Sequence, residues 1–274
     1  MDASDLAQAK GKKRPMQSSL AVLDSYADAF RELVNAKVWS KSKTIRELLF
    51  LNGERDWNFL CTSMDVVGDA STAIRHFLQF GLDGPTRYQD VGERYLRLYG
   101  VLSATYIQQE AALKLYKLMN VPNPKKIKAK LNVLEIRDLR HKLASHSTDF
   151  LTGEGQAVAT YVPIRIGLGG FHCLYKDNEA AKQESVDLEK AIEEHCRLII
   201  AVLDSAYEKA VRTLFKGHQA KLAEFNKKLK YLRTERDGGL VLRMAHDRKL
   251  EIRTMAQENL TSRSSRTRRL RRVG

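Results

Sequence analysis

One run dictates most of what this chain can become: DVGERYLRLYGVLSATYIQQEAALKLYKLM, residues 90–119. Tyr95, Leu98, Leu102, Tyr106, Gln109, Leu113 and Tyr116 advance by three or four residues throughout. That is the period of an α-helix with one buried face, and at ~1.5 Å per residue it runs for ~45 Å. Val121-Pro122-Asn123-Pro124 ends it, because proline has no N–H to donate inside a helix.

Other segments repeat the pattern. Leu20, Leu23, Tyr26, Phe30, Leu33 and Val34 predict a helix from about Ser18. A short helical run near 44–51 stops at Asn52-Gly53, and a third helix covers about 57–80 and stops at Gly81. A helix from about Lys125 carries Val133, Ile136, Leu139 and Leu143 as its apolar stripe. Residues 179–237 read as helical, with Ile192, Ile199, Val202, Leu203, Ala206, Ala210 and Leu214 on one face. Gly217 and Asp237-Gly238-Gly239 are the candidate breaks, and a short helix is expected through about Asn259. Between these lies a different texture. Val162, Ile164 and Ile166 alternate, glycines interrupt, then Phe171, Cys173 and Tyr175 alternate. This predicts a two-stranded hairpin with Pro163 on an exposed edge.

The expected fold is therefore mainly α: a helical bundle with a small β-hairpin insertion and a long C-terminal helical region. The expected boundaries are a basic arm over 1–17, the bundle over 18–150, the hairpin over 151–178, the C-terminal helices over 179–260 and an Arg-rich tail over 261–274. Trp39 and Trp57 read as core anchors. So do Tyr95, Tyr99 and Tyr106, although tyrosines can also stack bases.

Composition narrows the function. The chain has 47 Lys and Arg against 33 Asp and Glu, a formal net charge of +14. Such a surface attracts polyanions, with RNA the expected partner, although the same charge can serve solubility alone. Three cysteines without regular spacing argue against a disulfide framework. His172–Cys173 and His195–Cys196 are adjacent pairs and read as packing residues, so no metal site is expected. The glycines near residue 170 do not open a helix and carry no Lys-Ser/Thr, so no phosphate loop and no cofactor are expected. No apolar run is long enough to span a bilayer; no membrane partner is expected, and the location expected is cytoplasmic.

The chemistry concentrates in EIRDLRHKLASHSTDF, residues 135–150. Were residues 133–146 one helix, Arg140 and His146 would fall roughly 60° either side of Leu143 and about 9 Å apart along the axis. Arg137 and His141, four apart, would be neighbours on another face. RNA cleavage without a metal needs a base for the 2′-hydroxyl, an acid for the leaving 5′-oxygen and a cation for the phosphate. Histidine suits the first two roles and arginine the third. Spacing alone also allows a structural reading, with His146 capping the helix end and the arginines in solvated pairs with Glu135 and Asp138.

The segment RDLRHKLASH resembles the Arg–polar–(several residues)–His motif of HEPN domains, small helical bundles that include many ribonucleases. The preceding run RYLRLYGVLSATYIQQEA is similar to the long helix before that motif in some bacterial members. The resemblance covers roughly residues 20–150 and is closest over 92–147. It implies Arg140 as the phosphate cation, His146 as the acid–base residue and His141 at the polar position, where the commonest form has Asn. It also implies a homodimer with a composite cleft, and a toxin or antiphage ribonuclease with an antitoxin or defence-system partner. A non-catalytic binding or scaffold module is the alternative, and a helical oligomer built on the C-terminal helices is a third reading. Arg137 is a further candidate for nucleic-acid binding. So are the tail residues Arg263, Arg266, Arg268, Arg269, Arg271 and Arg272, whose charge suits sequence-blind phosphate contact.

Overall fold

The computed structural model describes residues 15–39, 43–86, 90–145, 147, 150–151, 157–238, 243–244 and 250–251. It is mainly helical, with a small antiparallel sheet. The helices are α1 (Pro15–Val38), α2 (Ile45–Leu48), α3 (Asp56–Phe80), α4 (Val91–Leu118), α5 (Pro124–Asn132), α6 (Glu135–Ala144), α7 (Leu188–Leu214) and α8 (Gln219–Arg236). The strands β3 (Tyr161–Gly169), β4 (His172–Asp177) and β5 (Lys182–Asp187) form a sheet in that order. Two further pairs are small: β1 (Phe150–Leu151) with β2 (Ala157–Ala159), and β6 (Arg243–Met244) with β7 (Leu250–Glu251).

Local chemistry explains the boundaries. Asp90 caps α4 by accepting from the Gly92 amide at 2.7 Å, and Thr44 and Glu47 close a capping box on α2. Asp187 caps α7 by accepting from the Lys190 amide at 3.1 Å. Gly217, at φ +91, separates α7 from α8. Gly81 ends α3 at φ +63, and a Cβ there would lie 2.5 Å from the Gly170 carbonyl oxygen. That approach lets the Leu82 amide donate to Gly170 O at 2.7 Å. Asp83 accepts from the Gly170 amide at 2.8 Å, and Arg94 bonds both Asp83 and Leu168 O at 2.8 Å. The β3–β4 turn is thus fastened to the α3–α4 corner.

The core has two lobes. One joins α1, α7 and α8 with the C-terminal half of α4, around Tyr26, Phe30, Tyr207 and Phe225. The other joins the C-terminal half of α3, the start of α4, α6, the sheet and the start of α7. Helices α3, α4 and α7 run through both. Asp204 on α7 staples the first lobe: it accepts from Tyr26 Oη at 2.7 Å and from the Arg233 fork at 2.9 and 2.8 Å. Burial pushes its pKa up, but the bonds from Arg233 and Tyr26 outweigh that and hold it below the ordinary carboxylate value.

Several expectations are corrected. The expected hairpin is a three-stranded sheet, because Lys182–Asp187 pairs with β4 and α7 begins at Leu188, not Glu179. Pro163 does sit on the edge strand, where its missing N–H is tolerated, but it is buried rather than exposed. The helix expected from Lys125 onward is two helices, broken at Val133–Leu134. Leu134 packs inward while Val133 is 83% exposed. Trp57 packs against the core, but Trp39 lies just past α1 at 79% exposure. The boundary expected at 150 does not divide the packing, since α7 completes the core of the preceding helices. Much of the stretch read as a helix through Asn259 lies outside the described residues; its described parts form the β6–β7 pair. Among the described residues no helix is long and apolar enough to cross a membrane.

Candidate nucleic-acid site on the sixth helix

Helix α6 is held on three sides. Ile136, Leu139 and Leu143 bury its apolar stripe in the second lobe. On one flank, Lys142 bonds Asp138 at 2.9 Å and Tyr175 Oη at 3.3 Å, and that hydroxyl donates to Glu184 on β5. Burial and the bond to Glu184 push the Tyr175 hydroxyl up to about 12, so it remains a donor near neutrality. Burial alone would lower the Lys142 pKa; Asp138 and Tyr175 outweigh it and raise it, so Lys142 stays charged. This cluster ties α6 to the sheet.

On the other flank lies α4. Arg137 is 6% exposed and donates to Gln109 Oε1 and Glu110 Oε1, each at 2.9 Å. A polar chain runs inward from there. Gln109 Nε2 lies 3.2 Å from His195 Nδ1, and His195 Nε2 lies 2.8 Å from Gln108 Oε1. Gln108 Nε2 then donates to Val67 O and Ser71 Oγ, both at 2.9 Å. Gln108, Gln109 and His195 are each 0% exposed.

The direction of this chain follows from its first member. A guanidinium has donors only, so the oxygen of Gln109 must face Arg137 and its nitrogen must face His195. Nδ1 of His195 then accepts, and Nε2–H donates to Gln108. Every buried group finds a partner with one neutral tautomer of His195. Burial pushes the His195 pKa down to about 3, in keeping with that neutral form.

Tyr106, half-buried on α4, is the platform of the site. The Arg140 guanidinium carbon lies 4.0 Å from its ring centroid and that of Arg137 lies 4.7 Å away. The His141 ring meets it edge-on at 6.1 Å. Arg137 and Arg140 therefore share one aromatic ring, but their states differ. Arg137 is buried and paired with Glu110. Arg140 is half-buried and has no carboxylate partner among the described residues. This cation–π contact holds the guanidinium over the ring without consuming its N–H donors, which suits phosphate binding.

The residues singled out in the sequence thus separate. Arg140, Arg137 and His141 converge on Tyr106. Arg137 is corrected from a nucleic-acid contact to an internal strut, because Gln109 and Glu110 engage its fork inside the protein. Asp138 pairs with Lys142 rather than with an arginine. His146 and the tail residues Arg263, Arg266, Arg268, Arg269, Arg271 and Arg272 lie outside the described residues. The spacing of Tyr106 reads as core, and no local pattern announces the His195 connection. The available signal was polar residues on apolar stripes: Gln109 on α4, and His195 between Ile192 and Ile199 on α7. Among the described residues no group of three or more His, Cys, Asp or Glu side chains is placed to hold a metal ion. Compared with known proteins, the chain matches no family model, no curated protein and no solved structure.

Proposed function

We propose that α6 is the phosphate-gripping element of a metal-independent endoribonuclease of HEPN type. Arg140 is the cation that binds the scissile phosphate, and His146 is the acid–base residue that follows it in the motif. The observation that carries this reading is Arg140 itself: a half-buried guanidinium, stacked on Tyr106 and without a carboxylate partner among the described residues. An arginine in that state has its donors available and its position over the ring preset, which suits stabilising a developing phosphorane charge. The basic chain, with net charge +14, draws RNA toward it. A twofold pairing of chains would bring a second Arg140 and His146 to the same phosphate. The toxin or defence role and its partner protein follow from the resemblance alone.

A second reading has one observation in its favour. His141 stands where the commonest motif has Asn, and its ring is set edge-on against Tyr106. The site would then bind nucleic acid through Arg140 without cutting it. Incubating the full chain with total RNA in EDTA separates the two. The nuclease reading expects fragments with 2′,3′-cyclic phosphate and 5′-hydroxyl ends. Salt-sensitive binding with intact RNA would support the binder and overturn the nuclease.

A further inference from the structure

Helix α5 reads PKKIKAKLN and contains no acid. Leu131 is fully buried and Ile127 packs against the first lobe of the core, so one side of this helix is fixed inward. Lys125, Lys126, Lys128 and Lys130 are all exposed, and none forms an ion pair among the described residues. At ~100° per residue they fan over roughly 200° of the outer surface within ~7.5 Å of axis.

This arrangement is unfavourable for an isolated helix. Lys125 and Lys126 stand in the first turn, where the helix dipole disfavours positive charge. Lys125–Lys128 and Lys126–Lys130 are like-charge neighbours one turn apart. No ion pair with a carboxylate among the described residues relieves either cost. A bound polyanion relieves both, since it supplies the missing negative charge to every lysine at once. Lysines on flexible stems act as point charges, suited to a phosphate backbone rather than to one planar ligand.

We infer that the lysine fan of α5 is a second nucleic-acid surface, taking the phosphate backbone of single-stranded RNA without regard to sequence. It shares with the nuclease reading only the class of polyanion and does not require cleavage. Two residues separate α5 from α6, so a strand held here is delivered beside the helix that bears Arg140. The electrostatic character fixes the signature of binding: each phosphate neutralised on a single strand contributes about −0.7 to the slope of log K against log salt.

The test compares the full chain with the variant Lys125→Ala/Lys126→Ala/Lys128→Ala/Lys130→Ala, and with Arg140→Ala in parallel. Alanine is the best helix former, so α5 is retained in the variant, as circular dichroism can verify. The probe is a fluorescent, fully 2′-O-methylated RNA of about 30 nucleotides, which cannot be cut through its 2′-oxygen, titrated from about 50 to 200 mM salt. The expected result is a slope shallower by up to about 3 in the quadruple variant, with at least tenfold weaker binding at the low-salt end (about 50 mM). An unchanged slope overturns the inference. So does a loss of binding by the quadruple variant that is seen only with phosphatidylserine vesicles, titrated in parallel, and not with the RNA, which would make the fan a membrane contact, and so does no measurable RNA binding by the unaltered chain. A flattened slope with RNA left uncut in EDTA upholds this surface and removes the nuclease reading. Cleavage by the unaltered chain with unchanged slopes does the reverse.

Discussion

Arg140→Ala is expected to lower the single-turnover rate of RNA cleavage by about 10²–10³-fold, the loss seen when one preorganised charge-stabilising donor is removed. The same variant is expected to keep its unfolding free energy within about 1 kcal/mol of the unaltered chain, since only a part-exposed cation–π contact is lost. The separation follows from geometry. Arg140 is half-buried over Tyr106 and bridges no carboxylate among the described residues, whereas Arg137 is buried and paired with Glu110. Arg140→Lys keeps the charge but not the planar fork, so it is expected to recover only a minor part of the rate. A variant that folds and still cuts at the original rate removes Arg140 from the mechanism.

The largest stability effect is expected at His195. Replacing it with leucine keeps much of the volume but leaves Gln108 Oε1 without its donor and Gln109 Nε2 without its acceptor, both fully buried. At about 1–3 kcal/mol for each orphaned group, His195→Leu should cost ~2–6 kcal/mol, a large share of an ordinary domain's stability. Urea unfolding measures it, with a lower midpoint and an unchanged slope expected. The pH dependence has a definite sign. Above about pH 6.5 the imidazole is neutral folded and unfolded, so this group adds no slope. Between 6.5 and about 3 the unfolded chain binds a proton that the folded chain refuses, and stability falls as pH falls. The decline approaches about 1.4 kcal/mol per pH unit for one linked proton. His195→Leu lacks that contribution, so its deficit is greatest above pH 6.5 and narrows on acidification. A deficit that grows in acid would mean that His195 is protonated in the fold.

What was legible in the sequence was whatever a single helix decides for itself. The α4 stripe from Leu98 to Tyr116, the Gly81 stop and the Gly217 break each depend on a local period or a local φ, and each is where the residues put it. The sheet was half legible. Cys173 and Tyr175 alternate, but Lys182–Ser185 offers no apolar face, and this strand exists because its backbone completes the β4 ladder. Only Val186 in it is buried deeply. The break at Val133–Leu134 was hidden for a related reason: a continuous stripe from Val133 to Leu143 fits a helix, and only packing shows Leu134 turned in and Val133 out.

The site divided in the same way. Arg140 and Arg137 look alike in sequence, three apart in one basic run. Their difference lies in what faces them, and that is decided by Gln109 and Glu110, nearly thirty residues earlier. Tyr106 has a core tyrosine's spacing, and spacing does not reveal that two guanidinium groups share its ring. His195 needed a partner across more than eighty residues of chain, which no local pattern supplies.

Arg140, and not its neighbour Arg137, is expected to grip the phosphate. Modification of the full chain with phenylglyoxal, read residue by residue by mass spectrometry, addresses it directly. In the free protein Arg140 should react and the buried, carboxylate-paired Arg137 should not. Addition of a non-cleavable 2′-O-methyl RNA should then protect Arg140. Equal reactivity of Arg140 with and without that RNA, under conditions where the RNA is bound, would contradict the account.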